Sequence, residues 1–337
     1  MKIALALALT TLSSASLTAS SSTYVLDKSI PLGAPDRWDY VVFDAQTQRV
    51  LVAHADRLAV IDGQTERLIG EVPGISGGTH GSAVSARTGQ GFTDDGRNGK
   101  VIAYDLHTLK IKKEIPADSD ADALALDPVT GKLFVVEGDP AALTVIDTKT
   151  DAPVATIKAG EKLEYAISDG HGSIYVAGEG TGAVLKIDAR SNKIVARWPT
   201  VGCTSPHGID FDAHEQRVFM GCSNSVMMVV DARSGKTVAT LPIGKGSDAV
   251  AFDPVRKRVF SSNGRDGTIS GYQQRSANRY EPLATVGTMV SARTMAVDPA
   301  TGRLFVAGAE VDPSHMQNGR PGIKAGSLRL MIFKPTS

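Results

Sequence analysis

The chain repeats one pattern of residues seven times, and this repetition limits its possible folds more than any other feature. Each copy has an alternating apolar stretch, an aspartate, a short turn and a second apolar stretch, as in ALALDPVTGKLFVV at 123–136. Repetition with a period of about 40 residues is typical of solenoids and propellers. The equivalent anchor positions, spaced 41 to 45 residues apart, are Asp44, Ser85, Asp127, Asp169, Asp212, Asp253 and Asp298.

Each copy is predicted to form hairpins. Residues rich in Val, Ile, Phe and Ala flank a turn such as DPVTG, where Pro and Gly supply the backbone angles of a tight loop. A second hairpin follows in most copies, for example LTVIDTKTDAPVATIKAG at 143–160. Two hairpins make a four-stranded antiparallel blade, and a ring of blades protects its sheet edges by closing. We therefore predict an all-β fold, a seven-bladed β-propeller.

The two ends of the chain are predicted to share the last blade. The seventh copy ends with SLRLMIFK at 327–334, its third strand, and no fourth strand follows. The segment YVLDKSIPLG at 24–33 is similar to the fourth-strand segment KTVATLPIG at 236–244. We therefore expect the N-terminal strand to close the last blade.

The repeats resemble a known family. Segments such as VIDTKTDAPVATIKAG at 145–160 are similar to the repeats of the YVTN-type, or YncE-like, β-propellers of secreted bacterial proteins. The resemblance extends from residue 24 to about residue 333. It implies the seven-bladed fold, but it does not specify a function, because propellers support many unrelated activities.

The first residues are typical of a secretory leader. Lys2 precedes an apolar run at 3–12, and small residues follow up to a predicted cleavage site after Ala19. We therefore predict a signal peptide at 1–19, a single propeller domain at 20–337 and a periplasmic or secreted protein. No later apolar stretch approaches 18 residues, so no membrane span is expected in the mature chain.

Composition excludes several classes of function. Lys and Arg number 36, as do Asp and Glu, and aromatic residues are 5% of the chain, so a nucleic-acid partner is not expected. The sequence contains no HExxH motif and no phosphate-binding glycine loop. It also lacks the CxxC and CxxCH motifs of zinc ribbons and of covalently attached c-type haem. Cys203 and Cys222, its two cysteines, are predicted to form a disulfide on blade five.

An ionisable residue occurs five positions before every anchor. In a propeller the innermost strand of each blade begins at one mouth of the central channel, so these residues are predicted to form a ring there. All seven are ionisable, although charged residues are only 21% of the chain. The ring residues are Asp39, His80, Asp122, Glu164, His207, Asp248 and Arg293.

A second set of residues is predicted to face this ring. Pairing across a four-residue turn places His54 opposite Asp39 and Glu137 opposite Asp122. The same rule predicts the pairs His80–Asp95, His207–Cys222, Asp248–Asn263 and Arg293–Gly308, and the turn of blade four, which is one residue shorter, predicts Glu164–Gly178. The mouth would then contain six carboxylates, from Asp39, Asp95, Asp122, Glu137, Glu164 and Asp248.

Crowded carboxylates must be protonated, paired with cations or neutralised by a bound ion. Carboxylate and imidazole together suit a divalent ion such as calcium, magnesium, manganese, iron or zinc. The predicted metal ligands are Asp39, His80, Asp122, Glu164, His207 and Asp248. Two alternatives remain open: a solvated polar ring, or a metal-free site in which Arg293 and the histidines hold an anion. Arg293, His54 and Glu137 are the predicted ligand-binding residues.

Three functions are compatible with this site. The first is a binding protein, expected to be a monomer, for a small molecule or a protein on the ring face. The second is a metal-assisted lyase or hydrolase acting on a small anionic or carbohydrate substrate, with His80 or His207 as base and Arg293 holding an anion. The third is an interaction scaffold. An insertion at 309–326 is expected to lie on the ring face, either as a partial lid with Glu310 or His315 reaching inward or as an ordinary loop.

Overall fold

The computed structural model describes residues 23–317 and 320–336, and the predicted signal peptide at 1–19 lies outside the described residues. The described chain forms seven sheets of four main strands each, together with a separate two-stranded hairpin. Its one helical element is a 3-10 turn at Gly96–Asn98. None of the described helices has the length and apolar character needed to cross a membrane.

The N-terminal strand is β1 (Tyr24–Pro31), and four blades follow it. Blade 1 contains β2 (Val41–Asp44), β3 (Arg49–His54), β4 (Arg57–Asp62) and β5 (Arg67–Pro73). Blade 2 contains β6 (Ser82–Ser85), β7 (Gln90–Asp95), β8 (Lys100–Asp105) and β9 (Ile111–Pro116). Blade 3 contains β10 (Ala121–Asp127), β11 (Lys132–Glu137), β12 (Ala142–Asp147) and β13 (Ala152–Lys158). Blade 4 contains β14 (Leu163–Ser168), β15 (Ser173–Gly178), β16 (Ala183–Asp188) and β17 (Lys193–Pro199).

Three more blades complete the ring. Blade 5 contains β18 (Pro206–Asp212), β19 (Arg217–Cys222), β20 (Val226–Asp231) and β21 (Thr237–Pro242). Blade 6 contains β22 (Ser247–Asp253), β23 (Arg258–Asn263), β24 (Thr268–Ser276), β25 (Arg279–Pro282) and the short β26 (Val286–Gly287). Blade 7 contains β27 (Thr294–Val297) and β28 (Leu304–Gly308), then a hairpin of β29 (Val311–Gln317) and β30 (Arg320–Ile323), and finally β31 (Arg329–Pro335).

The anchor aspartates hold the first turn of most blades. In blade 3, Asp127 accepts a hydrogen bond from the backbone N–H of Thr130 at 2.8 Å and another from its hydroxyl at 2.6 Å. Gly131 closes this turn with a φ of 71°, a left-handed conformation that favours glycine. These turns bring the second strand of each blade back antiparallel to the first.

A large buried side chain occurs at one equivalent position on the second strand of every blade. All seven are fully buried, and each contributes about 1.5–3 kcal/mol to stability through removal of apolar surface from water. Adjacent sheets pack against each other through these residues, which fill the space between neighbouring blades. They are Leu51, Phe92, Phe134, Tyr175, Phe219, Phe260 and Phe305.

The two ends of the chain complete blade 7 together. Its strand order is β1-β31-β28-β27, and β1 runs antiparallel to β31 from Tyr24 opposite Pro335 to Pro31 opposite Arg329. The prediction that the N-terminal strand closes the last blade is confirmed. Tyr24 also contacts blade 6, where its ring meets Phe260 edge-on with the centroids 5.2 Å apart.

The insertion at 309–326 forms a hairpin instead of the irregular loop that its Gly and Pro content predicts. Glu310 pairs with Lys324 at 2.9 Å and with Arg329 at 3.2 Å, and His315 is exposed. The expectation that Glu310 or His315 reaches into the ring is therefore wrong, because local ion pairs and solvent satisfy these side chains.

Replacing Tyr24 by alanine should weaken the closure of the ring. Tyr24 is buried, and the loss of a large buried ring costs about 3–5 kcal/mol. We expect a fall of this size in the free energy of unfolding in urea. Leu26→Ala, on the same strand but exposed, is the matched control and should change stability by less than about 0.5 kcal/mol. Equal losses in the two variants would contradict closure through Tyr24.

Candidate functional site at the channel mouth

The ring predicted from the repeat is present at one mouth of the channel. Each of its residues lies at or just before the start of the innermost strand of its blade. The Arg293 guanidinium lies 3.3 Å from an oxygen of Asp248 and 3.5 Å from an oxygen of Asp39, so the ring closes across blades 6, 7 and 1. The charged groups of blades 1 to 6 are close enough to influence one another electrostatically.

Four ring residues occupy β-bulges. In blade 3 Ala121 pairs with Glu137 and Leu124 with Val135, so Asp122 lies in a register shift. Equivalent shifts contain Glu164, His207 and Asp248. A bulge frees a residue from the regular ladder and turns its side chain away from the sheet face. The backbone of these blades is therefore shaped to direct the ring side chains toward the channel.

Six of the ring residues form two clusters of metal-ligand type. In each cluster one ligand atom from every member lies within 4.8 Å of the others, and all the side chains are partly buried. The first cluster comes from blades 1 to 3 and the second from blades 4 to 6, with Arg293 of blade 7 between them. The first triad is Asp39, His80 and Asp122, and the second triad is Glu164, His207 and Asp248.

The histidine of the first triad is held from behind by a buried carboxylate. Asp94 has no exposed side-chain surface, and its Oδ2 lies 2.8 Å from Nδ1 of His80. The backbone N–H groups of His80 and Gly81 also donate to this carboxylate at 2.9 and 2.7 Å. With Nδ1 engaged, Nε2 of His80 remains for a ligand. A carboxylate that orients a histidine in this way is the usual partner of a metal-binding imidazole.

Asp94 was not predicted from the sequence, although a signal was present. In the other six blades the equivalent position holds a small or apolar residue, and a carboxylate inside such a strand requires a polar partner. The equivalent residues are Ala53, Val136, Ala177, Gly221, Ser262 and Ala307.

The second triad satisfies its own hydrogen bonds. Nδ1 of His207 lies 2.9 Å from Oε1 of Glu164 and 3.5 Å from Oδ1 of Asp248. The hydroxyl of Tyr40 donates to the same Glu164 oxygen at 3.2 Å. Both of its carboxylates therefore have hydrogen-bond or ion-pair partners within the protein, whereas in the first triad Asp39 is paired with Arg293 at 3.5 Å.

Burial shifts the protonation of the first triad. It raises the pKa of Asp39 to about 6, with Asp248 and Glu164 adding to the rise while Arg293 and His80 oppose it. Burial, followed by the charges of Asp39 and Glu164, also raises the pKa of Asp122 well above its usual value. Both carboxyl groups therefore hold protons at a higher pH than in an unfolded chain.

Both ring histidines favour their charged form. Burial by itself lowers the pKa of His80, but the hydrogen bond and charge of Asp94 outweigh it and raise the pKa overall. The same balance applies to His207, whose pKa is raised by Glu164 and Asp248 against the effect of burial.

The predicted pairing of ring residues with a second ring is wrong by one residue in four blades. The bulges make Ala121 the partner of Glu137, and they shift the other three pairs to Leu163–Gly178, Pro206–Cys222 and Ser247–Asn263. The turn was counted correctly, but the extra residue of each bulge displaces the register beyond it.

The three other polar residues expected at the mouth contact nearby loops. Nε2 of His54 lies 2.6 Å from the carbonyl oxygen of Pro35, and His54 is fully buried. Glu137, also fully buried, accepts from the backbone N–H of Asp118 at 2.8 Å. Asp95 accepts from Asn98 at 2.9 Å and from the backbone of Gly77. The expected mouth of six carboxylates is therefore reduced to four, with Asp94 behind them.

A disulfide joins Cys203 to Cys222 beside the ring. The two Cα atoms are 5.5 Å apart, and the bond ties the loop before β18 to the end of β19. Among the described residues no free cysteine is present. The bond therefore braces the blade that supplies His207.

The channel narrows directly below the ring. The rings of Tyr40 and Tyr165 have their centroids 4.3 Å apart, and only a cavity of about 20 Å³, room for roughly one water molecule, lies beside them. Beyond them the channel widens into a mainly apolar cavity of about 230 Å³. The tyrosine pair thus separates a polar mouth from an apolar one.

The metal-free protein should lose stability as the pH rises from about 4 to 7. A carboxyl group whose pKa is higher in the folded state binds more protons there, so raising the pH through about 6 favours unfolding. The raised histidine pKa values act in the same direction. For Asp39 alone the loss is about 2–3 kcal/mol, measured by urea unfolding in the presence of a chelator. Asp39→Asn should reduce this dependence of the unfolding free energy on pH, whereas Asp139→Asn, on the surface, should not. Equal pH dependence in the two variants would contradict the raised pKa assigned to Asp39.

Solved structures share this architecture. One chain of the hydrazine synthase of Kuenenia stuttgartiensis aligns with 83% of this chain and 93% of its own length, with a TM-score of 0.71 and 14% identity. A chain of the mitotic checkpoint complex aligns over 100% of this chain and 99% of its own, with a TM-score of 0.76 and 13% identity. At these identities the likeness concerns the fold alone.

Sequence comparison is more specific. The uncharacterised protein YncE of Salmonella typhimurium is 23% identical over 243 residues, which are 67% of this chain and 68% of that protein. Its counterpart from Salmonella typhi matches to the same extent. The resemblance to YncE-like propellers is confirmed. The model of the cytochrome D1 heme domain family matches residues 45–250, which are more than half of the chain. With a match of that extent, this β-propeller belongs to the cytochrome D1 heme domain family.

Proposed function

We propose that this protein is an exported binding protein that holds a divalent metal ion at the channel mouth, with Asp39, His80 and Asp122 as its ligands. The main support is the hydrogen bond that Nδ1–H of His80 donates to Asp94, which leaves Nε2 of a histidine clustered with two carboxylates free of that contact. A ring that was only solvated would not require a fully buried carboxylate behind one of its histidines.

The first triad has the spacing of a site that closes around an ion. Metal–ligand bonds of about 2.0–2.2 Å place neighbouring donor atoms roughly 3 to 4 Å apart. The donor atoms of the triad lie within 4.8 Å of one another, so small side-chain movements suffice. One imidazole and two carboxylates suit zinc, manganese or iron(II) and leave coordination positions for water or a ligand.

Electrostatics favours the first triad over the second. Asp122 receives repulsion from Asp39 and Glu164, and the main influences on its pKa include no positive group. A divalent ion would remove that repulsion and displace the protons that burial retains. The second triad already contains a histidine paired with both of its carboxylates, so it gains less from an ion.

Arg293 is the candidate residue for an anionic ligand beside the ion. Its side chain is 41% exposed, although it contacts Asp39 and Asp248. A guanidinium can form two parallel hydrogen bonds with a carboxylate or phosphate. The ion and Arg293 together would then hold a small anionic molecule from two sides.

Two features support export. The leader-like segment at 1–19 has the charge and the apolar length of a secretory signal. The disulfide between Cys203 and Cys222 is of a kind that persists in oxidising compartments.

The channel does not fit the haem that the family name implies. The four ring carboxylates would repel the acidic side chains of a tetrapyrrole. The larger cavity, about 230 Å³, is smaller than the roughly 300–1,000 Å³ of pockets for drug-sized ligands. Its described lining contains neither histidine nor cysteine. The metal proposed here is therefore an ion held by side chains.

Metal binding can be measured directly. Protein stripped with a chelator should bind zinc or manganese by calorimetry, and the combined change of Asp39→Asn and Asp122→Asn should abolish binding. Asp94→Asn should weaken it by about 10- to 100-fold, the usual effect of losing a residue that orients a metal ligand.

Two controls separate the first triad from its surroundings. Glu164→Gln removes a charge from the second triad and should leave binding within about threefold of the unaltered protein, as expected for a group outside the ligand shell. Asp139→Asn, whose side chain is 76% exposed, should have no effect. Absence of metal uptake by the unaltered protein would refute the proposal. Loss of binding in Glu164→Gln with retention in the Asp39 and Asp122 variant would place the ion in the second triad.

A further inference from the structure

The apolar cavity at the other end of the channel has features of a second binding site. It lies beyond the tyrosine pair, among the innermost strands of blades 1, 4, 5, 6 and 7. Its volume of about 230 Å³ equals the liquid volume of roughly eight water molecules. Ala45, an exposed turn residue, is part of its lining, so the cavity reaches the surface.

Three aromatic rings line this cavity, and each is fixed by a neighbour. Phe43 stacks on Phe305 with centroids 5.6 Å apart, and Phe252 stacks on Phe219 at 5.1 Å. The third ring is Tyr165, which packs on Tyr40. The walls are therefore preorganised, and most of the remaining lining is aliphatic.

One carboxylate lies in this apolar lining. Asp210 accepts hydrogen bonds from the backbone N–H of Phe252 at 2.6 Å and from that of Phe211 at 2.7 Å. Among the described residues, no Lys, Arg or His lines the cavity, and no basic side chain forms an ion pair with Asp210. Burial raises the pKa of Asp210 to about 6, so the group is ionised at neutral pH without a positive partner.

From the cavity, its aromatic walls and the Asp210 carboxylate that has no positive partner, we infer that this apolar cavity binds a small alkylammonium ion. The positive nitrogen would lie near Asp210 and the faces of Phe43, Tyr165 and Phe252, and the alkyl part would fill the aliphatic remainder. Aromatic faces attract cations, most strongly where water is excluded. This site is independent of the metal site proposed above, because the tyrosine pair separates the two.

Other ligands fit this cavity less well. A metal ion would find a single carboxylate whose oxygens already accept two hydrogen bonds, and apolar walls cannot replace its water shell. An anion would be repelled by Asp210. A neutral apolar molecule of the same size would fill the space but leave the carboxylate without a positive partner.

Two probes of the same size test the role of charge. n-Butylammonium and n-butanol differ chiefly in the charged group, and both can be titrated against the whole protein at about pH 8, where Asp210 is ionised and the amine is charged. Binding is followed by the methyl NMR signal of Met295, which lines the cavity. We expect saturable binding of n-butylammonium and roughly tenfold or more weaker binding of n-butanol.

Variants then locate the charge. Asp210→Asn should reduce the affinity for n-butylammonium to about that for n-butanol, while Asp139→Asn should leave both unchanged. Equal affinity of the two probes, no saturable shift of Met295, or an unchanged preference in Asp210→Asn would each overturn the inference. The comparison of probes needs only the unaltered protein, so it decides the question even if Asp210→Asn folds poorly. A failure of zinc binding would not affect this test.

Discussion

The pairing of β1 with β31 is the contact on which the rest of this structure depends. Six blades are built from consecutive segments, but the seventh combines strands from the two ends of the chain. Without this pairing, β1 and the outer edge of β31 in blade 7 would present unpaired backbone groups, with which other chains can pair. Closure converts seven small sheets into one cooperative unit and fixes the positions of their innermost strands around the axis.

Convergence at the axis explains why both candidate sites lie in the channel. Each innermost strand contributes one residue at every level, so seven ionisable residues at the same repeat position become neighbours. Such crowding costs free energy unless the charges are compensated, and the protein does this unevenly. His207 pairs with both carboxylates of the second triad and Arg293 contacts Asp248 and Asp39, but Asp39 and Asp122 still retain raised pKa values. The less compensated side is where a cation would gain most.

The two halves of the channel differ in chemistry because alternate positions along the innermost strands differ. Ionisable residues form the ring at one mouth, and Tyr40 and Tyr165 lie below it. Mainly aliphatic or aromatic residues line the cavity beyond the tyrosine pair. Asp210 is the exception in the lower half, as Asp94 is within the second strands. Both are carboxylates in otherwise apolar surroundings. Asp94 has a histidine partner, whereas Asp210 accepts hydrogen bonds only from backbone N–H groups. This contrast underlies the two proposals, in which Asp94 orients the metal-binding His80 and Asp210 binds a cation.

The sequence by itself determined the number of blades, the hairpins, the closure by the N-terminal strand and the seven ring positions. These follow from periodicity, since equivalent positions in a repeat must occupy equivalent places in a closed ring. Only the tertiary structure decided how the ring divides into two triads, because that depends on side-chain orientations across blades. It also decided the register of Glu137 and Cys222, since a bulge adds one residue that turn counting cannot detect. The role of Asp94 and the apolar cavity around Asp210 likewise arise from contacts between residues far apart in the sequence.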